Sequence, residues 1–117
     1  MPKEPVAYLK HILKECEFIL SVVTPSTTKN DLLENETLKR AIVRSLEIIG
    51  EASKKITADV KLKWNTIQWK NMAGMRDRLI HDYMGTDYAI VWNVVRNEIP
   101  ELSKQVAEVI HNEETKS

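Results

Sequence analysis

Apolar residues return every three or four positions through most of this chain, and almost nowhere at every second position. Val6, Leu9, Ile12, Leu13, Cys16, Ile19, Leu20 and Val23 trace one stripe, which predicts an amphipathic helix over roughly residues 5 to 23. Pro25 ends it, and the polar run from Thr24 to Asn30 reads as a turn with Asn30 or Asp31 capping the next helix. That second helix is expected over about residues 31 to 55 on Leu33, Leu38, Ala41, Ile42, Ser45, Ile49 and Ala52. Glu34 to Thr37 can bend or restart it, with Thr37 as a second cap. Residues 57 to 65 have no clear period and read as a loop. A third helix is predicted over about 66 to 82. After a break at Gly85 and Thr86, Asp87 caps a stripe of Tyr88, Val91, Trp92, Val95 and Ile99. Pro100 either kinks this element or opens a fifth helix carried by Leu102, Val106, Val109 and Ile110, and residues 112 to 117 read as a frayed tail.

The expectation is all-α: one domain over residues 1–117, built as an up-down bundle of four to five helices. Three Gly and four Pro are too few for a loop-rich fold, and 43% apolar residues suffice for one core. The charges cancel, 17 basic against 17 acidic, so there is no long-range field to gather nucleic acid, and any RNA binding must come from a local patch. Cys16 is the one cysteine and falls on an apolar stripe, so it reads as a small core residue in a reducing compartment. With no signal-like segment and no apolar run near the ~20 residues that span a bilayer, the expected location is the cytoplasm, away from membranes.

One segment departs from plain amphipathic patterning. Arg76-Asp77-Arg78-Leu79-Ile80-His81-Asp82-Tyr83 puts a permanent cation, a group titrating near neutrality and a phenol close together. On a regular helix Arg76 falls amid the stripe of Trp69, Met72, Ala73, Ile80 and Tyr83. A guanidinium there needs a partner, because burying it unpaired costs several kcal/mol. Glu51 on the second helix is the internal candidate, and a substrate phosphate is the other.

His81 alone reads as an ordinary cap or surface group. Asp77 at i−4, however, could orient its ring through one nitrogen and leave the other to move protons. Residues five apart on a straight helix point about 140° apart, so Arg76 and His81 cannot meet there. Either the helix frays at His81, or two copies of the chain bring their motifs together across a two-fold axis; the apolar stripe favours a homodimer with a composite cleft. Tyr83 shares the Arg76 face and reads as packing or as a cleft-edge hydroxyl. Lys70 and Arg78 add a modest basic cluster that can touch RNA or simply face solvent. Trp64, Trp69 and Trp92 read as core, and His11 and His111 as surface groups. Phosphate-loop glycines, metal-ligand spacing and an activated Ser or Cys are absent, so neither metal nor cofactor is expected.

Ile49-Gly50-Glu51-Ala52, Trp69 to Asp77, the R-x4-H-x-Y string ending at Tyr83, and Asp87 and Trp92 together resemble the HEPN superfamily, and within it the HepT-like toxins of toxin-antitoxin pairs. The resemblance covers most of the chain. It implies a helical homodimer whose paired motifs form a metal-independent endoribonuclease cleft, with Arg76 and His81 catalytic and Asp77 as the polar residue after the Arg. It also implies a small nucleotidyltransferase-type antitoxin that transfers AMP to Tyr83. The substrate would be RNA and not DNA, which lacks the 2′-hydroxyl. The competing reading is a non-catalytic module that docks a nucleotidyltransferase or a nucleotide.

Overall fold

The computed structural model describes residues 5–81 and 85–115. Its fold is all-α, with helices α1 (Pro5–Val22), α2 (Lys29–Glu34), α3 (Glu36–Lys54), α4 (Ala58–Lys63), α5 (Trp69–Ala73), α6 (Met75–Leu79), α7 (Tyr88–Asn93) and α8 (Ile99–Thr115). A two-residue antiparallel ladder joins β1 (Ile80–His81) to β2 (Gly85–Thr86), and a π-helical turn over Val94–Glu98 links α7 to α8. The frame is α1 packed along both α3 and α8, with α5 and α6 laid across α3. Leu9, Ile12, Cys16 and Ile19 of α1 meet Ile42, Leu46 and Ile49 of α3, and Ile99, Leu102 and Val106 of α8 close the core. These are the stripes of the sequence. Burial, with Glu17 and Glu15 adding repulsion, pushes the Cys16 thiol up to about 12, which makes it an inert core group.

The second helix is two helices, and other residues cap them. Thr28 and Asp31 form a reciprocal capping box at α2, the Thr28 hydroxyl accepting from the Asp31 N–H and the Asp31 carboxylate from the Thr28 N–H. Asn35, not Thr37, caps α3 by accepting from the Leu38 N–H at 2.9 Å. Residues 57 to 65 are not a bare loop, since α4 lies within them. Buried Ile56, Val60 and Ile67 anchor that segment, and the carboxylate of Glu113 on α8 accepts from Lys63 Nζ and the Trp64 indole N–H. Their spacing is helical but too short to stand out as a stripe.

Pro100 stands second in α8, one place from the opening position expected of it. It lacks an N–H and its ring crowds the carbonyl four residues back, and the wider turn before it makes room, with the Ile99 N–H donating to the Val94 carbonyl. The C-terminal segment expected to fray is helical through Thr115. Trp69 is buried, while Trp64 and Trp92 are half-buried against the core. Among the described residues, no helix is long and apolar enough to cross a membrane.

Candidate functional site

The third predicted helix, about 66 to 82, is broken twice. Gly74 separates α5 from α6, and α6 stops at Leu79, where Ile80 turns to extended backbone. Two contacts hold this exit: the Asp87 N–H donates to the Leu79 carbonyl at 2.7 Å, and Gly85 pairs with His81 at a φ of +99°, a conformation that favours glycine. His81 therefore sits on a strand and not on a helix. The side chain of His81 and residues 82 to 84, Tyr83 among them, lie outside the described residues.

This changes the geometry expected of the motif. The buried side of the segment is Trp69, Met72, Met75 and Leu79, so Arg76 is not at the centre of the core stripe but exposed beside it. Exposed Asp77 is not one helical turn below His81, because the helix ends between them. The separation that a straight helix would impose on Arg76 and His81 therefore does not apply. Ile80 and His81 follow strand geometry, so helical geometry no longer demands a second copy.

Arg76 lines an open recess with Arg44, Glu47, Gly50, Glu51 and Lys54 of α3 and Ala73 of α5. Gly50 makes the close approach possible. A Cβ built there would stand 3.1 Å from the Met72 carbonyl oxygen and 3.2 Å from the Met75 Cβ, so a larger residue would push α5 and α6 off α3. Glu51 borders the recess, as its sequence position suggested, yet its ion pair is with Lys54 at 3.5 Å, not with Arg76. Among the described residues, no carboxylate is ion-paired to Arg76.

Arg78 behaves differently. Both of its terminal nitrogens reach the Glu98 carboxylate, at 3.0 and 2.6 Å, a bidentate pair that ties α6 to the π-helical turn. That hydrogen bonding raises the guanidinium's affinity for its proton further. Arg78, expected as a possible RNA contact, is thus engaged inside the fold. Lys70 is exposed on α5. Arg44 and Lys54 escaped the sequence reading, because nothing local distinguishes them from other exposed charges on α3; only the packing of α5 and α6 against α3 puts them beside Arg76.

A family model described as Ribonuclease HepT-like matches residues 12–109. The chain belongs to the HepT-like ribonuclease family. Its relatives include "Putative RNase TTE0752" of Caldanaerobacter subterraneus subsp. tengcongensis, 48% identical over 111 residues that cover 95% of this chain and 98% of that one. "Putative RNase MJ1216" of Methanocaldococcus jannaschii is 42% identical over 117 residues, 99% of this chain and 96% of its own. "Probable ribonuclease HepT" of Thermococcus cleftensis is 42% identical over 95 residues, 81% of this chain and 86% of its own. No solved structure matches the chain. The HepT-like match runs from within α1 through most of α8, and so includes every element that borders the Arg76 recess.

Proposed function

We propose that this protein is the toxin of a toxin-antitoxin pair, a cytoplasmic homodimer that cleaves RNA without a metal at a cleft formed by the Arg76 and His81 motifs of two protomers. The observation that carries this reading is Arg76 itself: an exposed guanidinium in an open recess, with no carboxylate paired to it among the described residues, one turn before the chain leaves the helix. Family membership and the names of the relatives support the RNase class. In the reaction, a ribose 2′-hydroxyl loses its proton to a His81 imidazole as its oxygen bonds phosphorus. The bond from phosphorus to the 5′-oxygen of the next nucleotide breaks, and that oxygen takes up a proton. Arg76 steadies the negative charge on the pentacoordinate phosphorus. Asp77 is the polar residue beside Arg76 that tunes the local field.

Regulation follows from Tyr83. Its phenol oxygen attacks the α-phosphorus of ATP on a nucleotidyltransferase antitoxin, pyrophosphate leaves, and the resulting tyrosyl-AMP fills the cleft with bulk and negative charge. Intact mass after coexpression with the antitoxin should rise in AMP steps, and the Tyr83→Phe protein should show none.

RNA incubated with the purified protein and excess chelator should yield a 2′,3′-cyclic phosphate and a 5′-hydroxyl, with DNA untouched. His81→Ala should lower the rate by roughly 10²- to 10⁴-fold, and undiminished cleavage by a folded His81→Ala protein would reject the assignment. The second reading, a docking module for a nucleotidyltransferase or nucleotide, draws on Glu47 and Glu51 standing among the cations of the recess. Harmless expression of the folded, unmodified chain in cells would favour it.

A further inference from the structure

The recess at Arg76 does not end at Arg76. A second hollow, between α1 and α3, is lined by Tyr8, His11, Ile48 and Lys55, and it shares Arg44 and Glu51 with the first. Arg44 also borders a third hollow beside Phe18. Arg44 on α3 and Lys55, which caps that helix, are eleven residues apart, about 16 Å along its axis. The joined path carries four permanent cations, Arg44, Lys54, Lys55 and Arg76, against two carboxylates, Glu47 and Glu51. In a chain whose charges cancel overall, this is a local positive stripe. It also has ring surfaces, since half-buried Tyr8 and exposed His11 stand edge to face with centroids 6.4 Å apart.

Arg44 is the junction of the path. Its side chain is 70% exposed, and its contact with Glu47 is a long 3.8 Å at the surface, a pairing of little strength in water. The guanidinium can therefore leave Glu47 for a phosphate at small cost, and a phosphate offers it two oxygens at once. Cations tracking a backbone beside aromatic faces are what a single strand of nucleic acid requires.

We infer that the α1–α3 groove holds single-stranded RNA next to the cleaved bond, with Arg44 as a positioning residue that grips a phosphate flanking the one at Arg76. The inference rests on the nuclease reading for its direction but makes its own claim about binding. The groove takes the strand through its backbone, so preference among bases is weak and salt dependence strong.

The test is binding of a fluorescent RNA oligonucleotide to the full-length His81→Ala protein over a range of salt, compared with the same protein carrying Arg44→Gln or Arg44→Lys. Arg44→Gln should weaken binding roughly tenfold at moderate salt and flatten the slope of log K against log salt by about 0.7, one single-strand phosphate contact. Arg44→Lys should keep most of the slope. With His81 restored, Arg44→Gln should raise KM far more than it lowers kcat. Equal affinity and slope in the Arg44→Gln protein, its melting temperature unchanged, would overturn the inference, and so would absence of RNA binding by the His81→Ala protein. A loss confined to affinity for an acidic protein partner would overturn it too, by assigning the stripe to docking. The two claims fail separately. RNA cleavage with no effect of Arg44→Gln removes the groove alone, whereas Arg44-dependent RNA binding without cleavage by the unmutated chain removes the nuclease alone.

Discussion

The α1–α3–α8 frame and the α5–α6–β1 segment are built on opposite terms. The frame consists of helices of 17 to 19 residues whose apolar stripes meet one another along most of their length. The segment that carries the motif is two helices of five residues, split at Gly74 and followed by a two-residue strand. Helices that short are not stable alone, because nucleation costs more than one turn of hydrogen bonds returns. The segment is held by what it touches: Gly50 beneath it, the Arg78–Glu98 pair to one side, and the Asp87 N–H on the Leu79 carbonyl. The frame supplies stability, and the motif segment is the part whose shape can be disturbed without unfolding the rest.

Four substitutions would break or sharpen that contrast. Leu46→Ala in the frame removes a fully buried side chain and should cost about 2 to 5 kcal/mol in denaturant unfolding, while the molecules still folded cleave RNA at the normal rate. Loss of activity at temperatures where that variant remains folded would dissolve the division. Gly50→Ala stands at the boundary between the regions. Its Cβ meets the Met72 carbonyl, so a cost of about 1 to 3 kcal/mol should come with a fall in cleavage larger than the loss of folded protein explains.

Glu98→Gln breaks the bidentate pair on α6 from the far side. A melting curve should report roughly 1 to 2 kcal/mol, with a change in activity though Glu98 does not border the Arg76 recess. Activity fully retained there would mean that α6 needs no lateral support. Asp87→Ala is the mildest: it removes a carboxylate that accepts from the Ala89 and Ile90 N–H groups at the start of α7, worth about 1 kcal/mol. The Asp87 backbone N–H that clasps Leu79 survives that change, so cleavage should stay near normal.

The same contrast governs how readable each region was. The stripe from Leu9 to Val23 and the one from Ile99 to Ile110 follow from spacing alone, because a long helix repeats its signal several times. The segment from Trp69 to His81 carries the same kind of stripe, and the expectation of one helix to residue 82 failed at Leu79. Ile80 and His81 fit a helix or a strand equally well by pattern. What selects the strand is pairing with Gly85 and Thr86. Arg76 does not lie in the core stripe that its spacing suggested. It is conspicuous for facing an open recess with no carboxylate paired to it among the described residues, not for lying in a core.

By itself the sequence determined the helical class, the residues of the main core and the likeness to the HepT-like family, since each is a matter of residue types at fixed spacing. Tertiary structure alone decided where the motif helix stops, that Arg78 answers to Glu98 while Arg76 faces outward, and that Arg44 stands beside it. Those depend on which distant groups compete for the same donor, carbonyl or space. Such competition is settled only when α3, α6 and the turn before α8 are brought together, and no period along the chain records it.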